Sequence, residues 1–199
     1  MEKLLEFVSQ HLSDDTSRLI LDRKKWPDTD MELAVNCIES RRKLKGKVQE
    51  WCDEPDLIFP RRLSAEQCSS SATGRFKAEV AEKISRLASV DQNESFKLAD
   101  LTGGLGVDSW FFSKIADKVL YNEMQTVLAD AARHNFSVLE ADNIIISNKM
   151  VSKEEGYVHI LRGLISYHER MTLPSGCRTH DHYLEALKFA LACVEEKLS

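Results

Sequence analysis

Two acids, Asp100 and Glu123, flank a glycine-rich run, Thr102-Gly103-Gly104-Leu105-Gly106. Residues of these types at this spacing could hold a nucleotide-like ligand. Glycine takes positive φ and lets a ligand approach the backbone where a β-carbon would block it. An acid at the tip of a second strand, roughly 20 residues beyond the glycines, suits the two hydroxyls of a ribose. The surrounding pattern supplies the elements such a site needs. A short apolar run ends in Asp100, a helical pattern runs from Val107 to Ile115, and a second apolar run, Lys118 to Tyr121, leads to Glu123. That order predicts strand, tight turn, helix and strand, the first half of a nucleotide-binding α/β unit. The helix after the turn would add unpaired N–H groups and a positive dipole end.

The glycines alone fit more than one ligand. Gly104-x-Gly106-x-x-Ser109 nearly reads as a nicotinamide-binding fingerprint, with serine where the third glycine belongs. A nicotinamide-dependent oxidoreductase is therefore one alternative, and a glycine turn in an unrelated α/β protein is the plainer one. Asp100 favours a third reading. An Asp closing the first strand, followed by T-x-G-x-G, resembles motif I of class I S-adenosylmethionine (SAM) methyltransferases. The segment upstream adds Leu63-Ser64-Ala65-Glu66-Gln67-Cys68-Ser69-Ser70, then Ala72-Thr73, then Arg75-Phe76-Lys77. Joined to the glycine turn, it resembles the bacterial class I methyltransferases that carry a C-terminal THUMP-like domain. The D-x-T-x-G-L-G-x-D core is also similar to bacterial small-subunit rRNA guanine-N2 methyltransferases. The match covers residues 60 to 148 and stops beyond Met150.

The resemblance implies SAM as cofactor and an RNA base as substrate. It implies that Asp100 and Gly104 hold the methionine end, directly or through water. Thr102, Gly103, Leu105 and Gly106 would shape the turn, Asp108 would start the helix, and Glu123, with Met124 beside it, would take the ribose. Gln67, Thr73 and Lys77 would wall the cofactor cleft; the plainer reading leaves Ser64 and Thr73 as helix caps and Lys77 solvated. No catalytic base is nominated.

The elements that must position these residues read as follows. Leu4, Leu5, Val8 and Leu12 predict an amphipathic helix over residues 2 to 12, Ser13 to Thr16 a cap, and Thr16 to Lys25 a second helix broken by Trp26-Pro27-Asp28. Asp28 to Asp30 offer caps for a long helix, Met31 to Trp51. Within it, Arg41-Arg42-Lys43-Leu44-Lys45-Gly46-Lys47 places five cations in seven residues, read either as an RNA-phosphate contact or as a solvated face balanced by Glu39 and Glu50. Pro55 and Pro60 frame an extended linker, Asp56 to Phe59. Ser64 with Gln67 has capping-box spacing, and Thr73 would cap a helix to about Leu87. After Glu123, a helix over Gln125 to Glu140 and a strand over Asn143 to Ser147 complete βαβαβ with a parallel sheet. The fold class is thus α/β, a Rossmann-like class I methyltransferase sheet behind an N-terminal helical domain. Residues 1–59 form the helical domain, 60–148 the SAM-binding part and 149–199 a divergent tail.

That sheet stops early. A complete class I sheet resembles seven strands, and 51 residues after position 148 are too few for four more with their crossovers. The four prolines follow Trp26, Glu54, Phe59 and Leu173, so the Asp-Pro or Asn-Pro dipeptide that holds the attacked amine in RNA guanine-N2 methyltransferases is missing. Either the chain is shortened after the third strand, or the tail completes the sheet differently. An open sheet edge would favour self-association. In the tail, Gly156 to Tyr167 reads as strand or short helix, Leu173 to Gly176 as a turn, and Asp181 to Leu198 as an amphipathic helix. Cys177, His180 and His182 match no common zinc spacing, so no metal is expected.

Composition sets wider bounds. The 199 residues carry 43% apolar and 30% charged side chains, ordinary for a soluble globular chain. A net charge of −5 gives no general attraction to nucleic acid. Glu2 and Glu6 stand where a signal peptide would be apolar, and no run reaches the roughly 20 apolar residues of a membrane span. These features predict a cytoplasmic protein without membrane contact. The five cysteines are scattered without a C-x-x-C pair, which predicts reduced thiols.

Overall fold

The computed structural model describes residues 2–88 and 95–150, with Lys188 alone beyond them; of Leu87 and Ala88 it describes the backbone. Two compact units divide the chain. One comprises Met1–Ile84 with Ser95–Lys149, the other Ser85–Glu94 with Met150–Ser199. The tail elements and the Cys177, His180 and His182 group lie outside the described residues.

Among the described residues six α-helices precede the sheet: α1 (Glu2–Gln10), α2 (Thr16–Leu21), α3 (Met31–Leu44), α4 (Gln49–Cys52), α5 (Arg62–Gln67) and α6 (Ser71–Ala88). Then come β1 (Lys97–Asp100), α7 (Val107–Ser113), β2 (Lys118–Asn122), α8 (Thr126–Val138) and β3 (Ile144–Ser147). The three strands are parallel, in the order β1-β2-β3. Register pairs Asp100 with Tyr121 and Asn122 with Ser147, which brings the carboxyl ends of β1 and β2, and the acids there, to one edge. Side chains alternate along a strand. Val119 and Tyr121 are fully buried, whereas Leu120 and its register neighbour Ile145 are exposed on the other face.

The helical front and the sheet half share one core. Leu44, Val48, Trp51, Leu57 and Phe59 cluster with Ala65, Leu105, Val107, Phe111 and Leu128, so residues on both sides of position 59 fill the same space. A second cluster joins Phe7, Leu19, Val35 and Ile38 to Ile58 and to Ala131 of α8. Each large apolar side chain buried this way contributes about 1.5–3 kcal/mol. The boundary expected at 59/60 therefore marks a change of element type within one packed body.

Several local expectations are corrected. The helix predicted from Met31 to Trp51 stops at Leu44, because Gly46 takes φ +75 and turns the chain before α4. The second helix ends at Leu21, and Arg23–Lys25 form a single 3₁₀ turn. Asp15 and Asp30 are its cap and the next one's, their carboxylates accepting from Ser17 N and Leu33 N. Ser64 lies inside α5 and caps nothing; Ser70 rather than Thr73 takes the cap position of α6, its Oγ accepting from Thr73 N. The Asp56–Phe59 linker is a buried strap, for Leu57, Ile58 and Phe59 are all in the core. Asn135 of α8 receives it as a strand would, its amide accepting from Ile58 N and donating to Ile58 O, both at 2.8 Å.

Part of the basic run is committed to the fold. Arg41 is buried and its guanidinium donates to the carbonyls of Glu54 (3.0 Å), Pro55 (2.6 Å) and Leu57 (2.9 Å). Arg42 donates to Leu12 O, and Lys47 to Ala65 O and Glu66 O. Lys43 pairs with Glu66. Arg41, Arg42 and Lys47 thus serve backbone acceptors that would otherwise lack partners, while Arg42, Lys43 and Lys45 remain exposed, as a solvated face would be. No helix among the described residues is long and apolar enough to cross a membrane. Among those residues there is also no metal-ligating cluster, and Cys37, Cys52 and Cys68 are free thiols.

Candidate functional site

The glycine turn is moulded on two aromatic rings. A β-carbon on Gly103 would sit 2.1 Å from the Tyr121 ring, and one on Gly106 would sit 2.5 Å from Phe136. Gly106 also has φ +91 and Gly104 φ +55. Close approach by a ligand is thus not what demands Gly103 and Gly106; packing beneath the turn does. Gly104 is the position with room above it, and only its dihedral asks for glycine. Tyr121 OH donates to Gly104 O at 2.6 Å, while Gly103 N donates to Asn122 O at 2.8 Å. Burial, with Glu123 and Asp100 nearby, pushes the Tyr121 phenol far up, so it stays a donor. Buried Asn122 bridges Leu101 O and Lys149 O, tying the turn to the end of β3.

Glu123 is held by this turn from the opposite strand. One carboxylate oxygen accepts from Gly104 N at 3.0 Å, the other from Gln125 N at 2.8 Å. Asn148 donates to Glu123 O, which fixes the backbone beneath it. Each oxygen keeps a lone pair free, so the carboxylate is oriented yet still able to accept from a ligand.

Asp100 is engaged differently. Its carboxylate accepts from Thr102 N at 3.2 Å and from Ser109 Oγ at 2.7 Å. Burial pushes its pKa above the ordinary carboxylate value, and the Ser109 and Thr102 bonds oppose that rise without cancelling it. A raised folded-state pKa means that the native state binds the extra proton in the window above the unfolded value of about 3.9. Stability contributed by that proton is therefore lost as pH rises through the folded pKa. Ser109→Ala removes the bond that favours the charged form, so it should raise the pKa further. It should cost about 1.5–3 kcal/mol at neutral pH and progressively less toward acid. Urea unfolding at pH 7 and pH 4 checks this; an equal loss at both would refute the assignment.

A third acid lies across the turn. Lys77 Nζ is 2.6 Å from Asp108 Oδ2, Ser69 Oγ donates to the same oxygen at 3.0 Å, and Lys77 donates to Ser69 Oγ at 2.9 Å. Asp108 Oδ1 is buried with no hydrogen-bond partner among the described residues.

These groups line one cavity of about 320 Å³, within the range of small-molecule sites. Thr102, Gly103, Gly104, Leu105, Asp108, Glu123, Lys77 and Gln67 all line it, together with Ser69 and Gln125. Asp100 and Gly106 lie outside its lining, as does Met124, which is 60% exposed. Thr73 is exposed beside Ser70. Sequence reasoning missed Ser109 as the partner of Asp100, although its place at the third-glycine position was a signal. It also missed Tyr121 and Asn122, for which a tyrosine and an asparagine ending a buried strand were the available hints.

No protein-family model matches this chain, and no curated protein does. Among solved structures it is similar to a "putative methyltransferase" from Porphyromonas gingivalis, at 24% identity and a TM-score of 0.55. The likeness covers 83% of this chain and 38% of that one. The chain thus spans well under half the length of that structure. At such identity the two share a fold, an α/β Rossmann-like arrangement of parallel strands and helices.

Proposed function

We propose that the chain is a SAM-dependent methyltransferase, or the cofactor-binding part of one, with an RNA base as substrate. The observation that carries this reading is Glu123, held by Gly104 N and Gln125 N with lone pairs left over at a cavity beside the glycine turn. The residues suit the cofactor chemically. An oriented carboxylate matches a ribose diol, and the orphaned Asp108 acceptor matches an incoming donor. When bound, SAM supplies a methyl group on a sulfonium, ready for attack by a nucleophile. The chain's own part is to orient: Glu123 would hold hydroxyls, and the Thr102–Leu105 turn lines the cavity. Catalysis would rest mainly on alignment of the acceptor.

RNA as substrate rests on the resemblance of residues 63 to 148. A second reading, a non-catalytic binding protein derived from a methyltransferase, is favoured by one feature. Only three strands are found among the described residues, and no Asp-Pro or Asn-Pro dipeptide is present to hold an amine. We expect the 199-residue chain to bind SAM but not NADH, and to transfer no labelled methyl to total bacterial RNA in single turnover. Stoichiometric transfer would show that the chain has a base site of its own. NADH binding that depends on Glu123 would overturn the cofactor assignment in favour of an oxidoreductase.

A further inference from the structure

Resting on the SAM reading, we propose that Lys77, Ser69 and Asp108, rather than Asp100, hold the amino-acid end of the cofactor. The α-carboxylate goes to Lys77 and the α-ammonium to Asp108. All three side chains line the cavity, and Asp100 does not. Each Asp100 oxygen accepts one bond, from Thr102 N and Ser109 Oγ, and what sets it apart from Glu123 is its place outside the cavity lining.

The capacity of the cluster defines the ligand. An ammonium group has three N–H donors. Lys77 uses two, on Asp108 Oδ2 and Ser69 Oγ, which leaves one. Asp108 receives both its bonds on Oδ2, so Oδ1 is a buried acceptor without a donor. Such an acceptor is destabilising until a partner arrives. A small rotation of the carboxylate would present it to one. Lys77 and Asp108 are 45% and 25% exposed at the side chain, so both are reachable. A lone phosphate would meet the like charge of Asp108, and a lone cation that of Lys77. A cation and an anion side by side are complementary to a group that is itself an adjacent anion and cation. The α-amino-acid zwitterion is that group.

S-adenosylhomocysteine and 5′-methylthioadenosine are both neutral thioethers of adenosine, and only the first carries the amino-acid end. Calorimetry of the full chain should find S-adenosylhomocysteine the tighter ligand by roughly tenfold or more, the value of charge-assisted bonds. Lys77→Met and Asp108→Asn should each weaken S-adenosylhomocysteine roughly 10- to 100-fold and leave 5′-methylthioadenosine within about twofold. Lys77→Arg, which keeps the charge, should retain most of the affinity. Equal affinity of the wild type for both ligands would overturn the proposal without any variant. So would variants that weaken both ligands alike, or neither, while the cofactor reading stood. If the wild type bound neither ligand, that reading would fall and the proposal with it.

Discussion

Gly106→Ala is expected to lower stability by about 2–5 kcal/mol, the sum of a left-handed backbone penalty and the strain of overpacking. The residue takes φ +91, and a β-carbon there would lie 2.5 Å from the Phe136 ring. Phe136 is itself buried against Tyr121, at a centroid distance of 5.3 Å, and has no open space to move into. The neighbouring glycines separate the two causes. Gly104→Ala meets a positive φ with room above it, so about 1–2 kcal/mol should be lost. Gly103→Ala meets the Tyr121 ring at an ordinary φ, so about 1–3 kcal/mol should be lost. Urea midpoints of the three variants should place Gly106→Ala lowest. A Gly106 variant no worse than the Gly104 one would mean that the turn is not packed on the rings.

Arg41→Met should cost about 3–5 kcal/mol, because it strips donors from several backbone carbonyls at once. Burial alone lowers the pKa of this guanidinium, a sign of how far it is desolvated. Its donors reach Glu54 O, Pro55 O and Leu57 O, and its Cζ lies over the Phe59 ring, 5.2 Å from the ring centre. Arg41→Lys should recover little, since one ammonium cannot match a fork of donors aimed at separate acceptors. Equilibrium unfolding measures both. A lysine variant as stable as wild type would show that charge, not the network, is what the strap needs.

The strand-turn-helix order was legible because its signals are local. Glycines mark the turn, apolar runs mark β1, β2 and β3, and Leu128, Ala131, Ala132 and Phe136 recur at helical spacing and are buried in α8. What was not legible depended on partners distant in sequence. The Arg41–Lys47 run reads as a charged surface until the carbonyls of residues 54 to 66 come into reach. Asp56–Phe59 reads as a linker until Asn135, far along the chain, clamps Ile58. Ser64 has capping-box spacing, yet α5 begins at Arg62. In the site, Glu123 and the glycines were visible, whereas the Ser109 bond to Asp100 depends on how α7 rotates about its axis. The Lys77–Asp108 pair likewise joins two motif fragments that only tertiary packing brings together.

Cofactor binding at Glu123 is tested most directly by SAM titration of the 199-residue chain by calorimetry, wild type against Glu123→Gln. Glutamine keeps the shape of the side chain but sets an NH₂ against Gly104 N or Gln125 N, where an acceptor now sits. Saturable one-to-one binding to the wild type is expected, with a loss of about 1.5–3 kcal/mol in the variant, roughly 10- to 100-fold in affinity. Undiminished affinity in Glu123→Gln, or no binding by a folded wild type, would contradict it.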